Sequence, residues 1–298
     1  MEVRGVTFDL DDTLWCGKRV IVKANSHFHA YLRQRLPALS AAFPPAAFDQ
    51  LLARFMRELP DKAHDYTFLR KHTLRHCVHE IGPRELQLEE ELELEVLLEE
   101  AFQAFLIPRS QPEFFEGVEQ LLHQLDLHLR SRAIHDSLVQ AVAEGDRKPT
   151  VAVLGVITNG NCMFEQLPEY FRACMNFMIS AEGVGKAKPA LEIFDAAVAQ
   201  FPTSYDKAHI VHVGDHYEYD VVGAKKAGLR TIWVNAKWPK PDVLRRQDLD
   251  EDDAELYDAA DAIVKDVNAV LDVVTLWNKE AAAEQQQPQR DDSASLVH

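Results

Sequence analysis

Residues Val151 to Ile157 form one unbroken apolar run rich in β-branched side chains. A strand that buries both faces belongs inside a parallel sheet covered by helices. The chain beyond it keeps that rhythm. Short β-prone stretches at Phe177 to Ser180, His209 to Val213, Thr231 to Val234 and Ala262 to Val264 alternate with helical patterns at Leu191 to Phe201, Tyr219 to Ala227 and Val267 to Trp277. Gly228 closes the second of these helices. Val6 to Phe8 adds a strand near the start of the chain. Alternating β and α units with buried strands predict an α/β fold, a doubly wound, Rossmann-like parallel sheet.

The segment between the first two strands reads differently. Apolar residues recur at helical spacing over Ala24 to Leu36, Phe48 to Leu59, Tyr66 to Ile81 and Leu86 to Leu106. Pro37, Gly82-Pro83 and Pro108 separate or end these stretches. No strand pattern interrupts them, so an all-helical cap domain inserted after the first strand is expected. Leu14 to Val20 reads as irregular, with Gly17 as a flexible point. Gly117 to Leu129 is amphipathic, and the polar stretch Arg130 to Thr150 is read as an elaborated loop in which one helix, Ile134 to Ala143, is expected. The expected division is a core of residues 1–20 and 113–279, a cap of 21–112 and a disordered tail of 280–298, where composition collapses to Ala, Glu, Gln, Pro, Asp and Ser.

Composition narrows the setting. The chain has 298 residues, room for one core plus an accessory domain. No apolar run approaches the ~20 residues that cross a bilayer. The first strand follows almost at once on Met1, so secretion is not expected. The four cysteines lack paired spacing, which suits reduced thiols and a cytoplasmic location. A net charge of −16 argues against nucleic acid or an anionic membrane as partner. Eight glutamates fall between Glu85 and Glu100, and this run is read as a solvated helix face.

Polar residues gather where strands end, the place where open α/β sheets bind ligands. Asp9 and Asp11 follow the first strand at i and i+2, and two close carboxylates share a metal or a proton. The plain alternative is an Asp-rich turn with Asp12 or Thr13 as a helix cap. Thr158-Asn159-Gly160 follows the Val151 run and offers several donors to an anion, or else an ordinary capped turn. Lys188-Pro189 sets a lysine on a defined turn, with Lys186 in reserve. Gly214-Asp215 ends a further strand, and Asp220 opens the next helix.

Together and in this order, these elements resemble the haloacid dehalogenase-like hydrolase superfamily. Phe8-Asp9-Leu10-Asp11-Asp12-Thr13-Leu14 matches its first motif, Asp-x-Asp-x-Thr. Thr158 matches the second, Lys188-Pro189 the third, and Gly214-Asp215 through Asp220 the fourth. The helical insert resembles that superfamily's C1-type cap. The resemblance covers Glu2 to Trp277 apart from Arg130 to Thr150.

It implies a Mg²⁺-dependent phosphatase acting on a small phosphorylated metabolite, as a monomer or homodimer. Asp9 would be the nucleophile that forms an aspartyl-phosphate. Asp11 would be the acid for the leaving alcohol and then the base for water. The Asp9 carboxylate, the Asp11 carbonyl and the Asp215 carboxylate would bind Mg²⁺, and Asp220 would hold one of its waters. Thr158, Asn159 and Lys188 would hold the phosphate. The dehalogenase branch lacks an acid at the position of Asp11, which directs the expectation to phosphoryl transfer. A phosphomutase or phosphotransferase, or a non-catalytic interaction module on a retained fold, stays open as the alternative. Trp15, Lys18, Arg19, His27 and the stretch Asp65 to His76 are candidates to face the substrate from the cap.

Overall fold

A computed structural model describes residues 1–86, 91–144 and 153–286. Six strands, β1 (Gly5–Phe8), β2 (Leu154–Thr158), β3 (Phe177–Ser180), β4 (Ile210–Gly214), β5 (Arg230–Val234) and β6 (Ala262–Val264), form one sheet in the order β3-β2-β1-β4-β5-β6. Every pairing is parallel. Every residue of β1, β2 and β4 is buried. The fold is therefore the doubly wound α/β sheet that continuous apolar strands require.

Register explains where the site falls. Phe8 lies opposite Val156 on β2 and Val213 on β4. Asp9 follows Phe8, Thr158 stands two residues beyond Val156, and Asp215 stands two beyond Val213. Parallel pairing thus brings the residues after three separate strands to one edge of the sheet.

The insert after β1 is helical: α1 (Gly17–Arg35), α2 (Pro37–Ala42), α3 (Pro45–Glu58), α4 (Tyr66–Ile81) and α5 (Glu91–Arg109). Ala24, Phe28 and Leu32 of α1 meet Leu39, Phe48, Leu74, Leu98 and Phe105 in an apolar cluster distinct from the one under the sheet. Gly17 is no flexible point, because it is the first residue of α1. Its amide donates to Asp12 Oδ1 at 3.0 Å, and a Cβ there would lie 2.9 Å from that of Asp11. Pro37 ends one helix and begins the next, because a missing N–H costs nothing in the first turn. Pro108 does not break α5 but lies buried in its last turn. The described glutamates of α5 are exposed, as read from the sequence, and three of them find partners at the surface. Glu99 pairs with Lys71 at 2.6 Å, Glu95 pairs with Arg75, and Glu100 accepts from Tyr31 Oη at 2.6 Å.

The chain returns to the core through α6 (Val118–Glu144). This helix joins the amphipathic stretch to the helix expected at Ile134 to Ala143 and ends at Glu144. Nothing between Leu129 and Glu144 is Pro or Gly, so no residue there breaks the helix. Residues 145–152 lie outside the described part, as does 87–90 in the acidic run. Short helices α7 (Glu169–Cys174), α8 (Ala181–Val184) and α9 (Leu191–Val198) follow β2 and β3. A π-helical turn, Tyr217–Val222, then leads into α10 (Gly223–Lys226) where one regular helix was expected. Helices α11 (Glu251–Leu256) and α12 (Val270–Gln286) close the described chain. Helix α12 extends past Trp277 because residues 280–286 are strong helix formers, so that part of the expected tail is ordered. Residues 287–298 are not described. No helix among the described residues is long and apolar enough to cross a membrane.

Candidate active site

Asp9 leaves β1 with its amide bonded to the Val213 carbonyl at 2.8 Å, and the residue is 7% exposed. Asp215 follows Gly214 at the end of β4. A Cβ on Gly214 would collide with the Asp220 carboxyl carbon, so only glycine lets that acid approach. Asp220 comes from the π-helical turn, a distortion that recurs at functional sites. As a result Asp9, Asp215 and Asp220 each bring a carboxylate oxygen within 4.8 Å of the others. Thr13 bridges two of them, donating to Asp9 Oδ2 at 3.3 Å or to Asp215 Oδ1 at 3.4 Å.

The charges are unequal. Burial pushes Asp9 up to about 7, against the opposing pull of Lys188 and with Asp220 adding to the rise. Burial, then the charges of Asp220 and Asp12, push Asp215 up to about 6. Burial would also raise Asp220, but Lys188 and His212 outweigh it and hold that acid well below the carboxylate range. Lys188 is 4% exposed, and burial alone would weaken its hold on a proton. Asp220 and Asp9 reverse this and keep it charged. Its Nζ donates to Asp9 Oδ1 at 2.5 Å, Asp220 Oδ1 at 2.6 Å and the Ile157 carbonyl at 2.8 Å. Lys186 is exposed, which leaves Lys188 as the lysine of the site.

The remaining predicted residues take distinct positions. Asp11 is turned away from the three-acid group and accepts from Trp15 Nε1 at 2.8 Å and from Arg109 Nη2. Asp12 takes a left-handed backbone (φ 62°), which Asp tolerates, and caps Gly17 instead of joining the acids. Thr158 is buried, and its Oγ accepts the Gly160 amide at 2.9 Å. The Asn159 side chain braces the lysine turn, accepting from Lys188 N at 2.7 Å and donating to Lys188 O at 3.2 Å. Of the residues expected to face the substrate, Lys18, Arg19 and His27 are exposed, and His72 and His76 pack on Phe55. Thr67 of α4 does reach the core, at Glu182 (2.7 Å) and Asn161 (3.3 Å).

Three participants escaped the sequence. Arg109 has no motif around it and was placed only by the end of α5. Thr13 was read as a turn residue. His212 lies inside the fourth strand with no motif of its own, and its Nε2 stands 3.3 Å from Asp220 and its Nδ1 2.9 Å from Thr7 Oγ1.

Three converging carboxylates, Asp9, Asp215 and Asp220, fit a hard divalent metal, which takes oxygen ligands. Asp215 also borders a cavity of about 720 Å³, shared with Asp12, Thr13 and Lys237.

Residues 3–228 match the family described as haloacid dehalogenase-like hydrolase. The chain is 25% identical over 234 residues to the Escherichia coli 5-amino-6-(5-phospho-D-ribitylamino)uracil phosphatase YigB, spanning 78% of this chain and 83% of that one. It is 38% identical over 92 residues to the Escherichia coli pyrimidine 5'-nucleotidase YjjG, a match that covers 28% of this chain and 39% of that protein's length. A crystal structure of a 2-haloacid dehalogenase from Pseudomonas syringae pv. Tomato DC3000 superposes with a TM-score of 0.67 at 28% identity, covering 92% of this chain and 99% of that one.

Proposed function

The chain belongs to the haloacid dehalogenase-like hydrolases, and on that premise we propose that it is a Mg²⁺-dependent phosphatase hydrolysing a small-molecule phosphate monoester. The observation that carries this reading is the convergence of Asp9, Asp215 and Asp220. Three carboxylates around one point repel an anionic substrate unless a divalent cation sits among them. Bound there, Mg²⁺ would neutralise that charge and polarise a phosphate oxygen.

The protein's own groups then have defined work. Lys188 holds Asp9 Oδ1 and fixes the direction of the carboxylate. Asp9 attacks phosphorus, and the phosphorus–oxygen bond to the alcohol breaks as Asp11 gives that oxygen a proton. Asp11 next takes a proton from water, which attacks phosphorus and breaks its bond to Asp9. Thr158 and the main-chain amides of the turn after β2 steady the phosphate oxygens. Asn159 serves this role through its amide, since its side chain is committed to Lys188. The helices of residues 21–112 form the cap that covers the site and selects the leaving group.

The phosphatase and nucleotidase relatives support phosphate ester chemistry. A second reading, carbon–halogen hydrolysis, is favoured by the likeness to the Pseudomonas syringae dehalogenase. Asp11 weighs against it, because a halide leaves without a proton and carbon–halogen cleavage gives that acid no work at the leaving group. Incubation with Mg²⁺ and a generic phosphate ester tests the choice. Phosphate release is expected from the native protein and a loss of roughly 10⁴-fold or more in Asp9→Asn. Halide release from 2-chloropropionate with no phosphate release from any ester would transfer the assignment to the second reading.

A further inference from the structure

One buried imidazole near the acids has no part in the chemistry above. Thr7 of β1 and His212 of β4 lie opposite each other in the sheet, and both are buried. Asp9 and Gly214 stand two positions further along the same stretches of chain, and side chains two apart on a strand share a face. Asp220 packs directly over Gly214, where a Cβ would lie 2.3 Å from its carboxyl carbon. Thr7 and His212 therefore form the layer beneath the acids. The edge of Phe194 packs against the imidazole, with ring centroids 5.4 Å apart.

The hydrogen bonds assign the protons. Asp220 Oδ1 accepts from Lys188 Nζ at 2.6 Å, and Oδ2 accepts from the His216 amide at 3.0 Å. An ionised carboxylate only accepts, so His212 Nε2, 3.3 Å from Asp220 Oδ1, carries a proton. Burial holds the ring below its ordinary value of 6.5, against the pull of Asp220 and with Lys188 adding to the fall. A neutral imidazole with its proton on Nε2 keeps a lone pair on Nδ1. Thr7 Oγ1 lies 2.9 Å from Nδ1 and 3.3 Å from the Val211 carbonyl, so its one proton goes to the nearer acceptor.

We infer that Thr7 and His212 are positioning residues: the Thr7 hydroxyl donates to Nδ1, and the ring so held donates from Nε2 to Asp220 and sets the direction of its carboxylate. Asp220 then accepts from three separate places, β4, the turn after it and the lysine turn. Outer groups that orient the carboxylates of a metal site raise its affinity without touching the ion. That consequence rests on the Mg²⁺ site of the phosphatase reading, and the proton positions do not.

NMR of the His212 ring nitrogens and the Asp220 carboxyl carbon in metal-free protein tests the geometry, and calorimetric titration with Mg²⁺ tests its effect. The native ring is expected to carry a proton on Nε2 alone. A proton on Nδ1, alone or in addition, overturns the inference. Thr7→Val keeps the shape and removes the hydroxyl. It is expected to move the Nδ1 and Asp220 resonances and to weaken Mg²⁺ binding by at least about threefold. Thr7→Ser restores the donor and is expected to stay within about twofold of native. His212→Leu removes the proton that reaches Asp220 and is expected to weaken Mg²⁺ binding by at least about tenfold. His212→Gln, whose amide nitrogen can stand in the place of Nε2, is expected to recover part of that loss. If His212→Leu does not fold, the two Thr7 variants carry the test. Resonances that stay in place in Thr7→Val overturn the inference. So does a Thr7→Val protein that loses unfolding free energy while binding Mg²⁺ within about twofold of native, because the two residues then only pack. Native protein that binds no Mg²⁺ and releases no phosphate sinks the phosphatase reading alone, and the ring and Asp220 resonances of the Thr7 variants then decide the inference.

Discussion

Lys188 has three ammonium protons and three acceptors, the Asp9 and Asp220 carboxylates and the Ile157 carbonyl. It is fully engaged within the protein, so its first effect is to hold two buried acids at fixed positions. Removing one partner of such a group leaves uncompensated charge, which costs about 3–5 kcal/mol. Lys188→Met is expected to lower unfolding free energy by that amount in urea titration, and a loss below about 1 kcal/mol would show that the acids relax without it. His29 in the cap presents the opposite case. Burial holds its imidazole below the ordinary value of 6.5, and its Nε2 has no partner among the described residues. The unfolded chain therefore takes up that proton first as pH falls. The stability given by neutral His29 is complete above pH 6.5 and is lost progressively below it. His29→Phe should lessen the fall in unfolding free energy between neutral and mildly acid pH, and an unchanged fall would contradict this.

Helix α12 is joined to the start of the chain through Asn278, which is fully buried. Its Oδ1 accepts Val3 N at 2.6 Å and its Nδ2 donates to Val3 O at 3.2 Å. Asn278→Ala strands both main-chain groups of Val3 and is expected to cost about 1–3 kcal/mol by chemical denaturation. Native-like stability would mean that water replaces the amide. The sequence made the strands and their order of motifs legible, because buried parallel strands read as apolar runs and end where Asp9, Thr158 and Asp215 stand. It read Arg130 to Thr150 as a loop holding one helix, Ile134 to Ala143, where α6 runs from Val118 to Glu144 without a break, because no Pro or Gly interrupts it after Leu129. The π-helical turn at Tyr217–Val222 has no pattern of its own, yet it places Asp220 among the acids. Arg109 was invisible for a related reason. A lone arginine after Pro108 gives no signal until the helix around it is seen to end against Asp11.

Across the molecule, a net charge of −16 surrounds a site in which Lys188 and Arg109 are both buried and both paired to its acids. An anionic ester gains little from the overall field, so recognition must come from groups met only inside the cleft. The central claim is that Asp9 becomes covalently bound to phosphorus. It is tested most directly by acid-quenching the protein during turnover of a phosphate ester with Mg²⁺ and locating any phosphoryl group by peptide mass. The account predicts a phosphoryl increment on the peptide that contains Asp9, absent when Mg²⁺ is withheld. Rapid phosphate release with Asp9 unmodified at every quench time, and with Asp9→Asn still active, would contradict it.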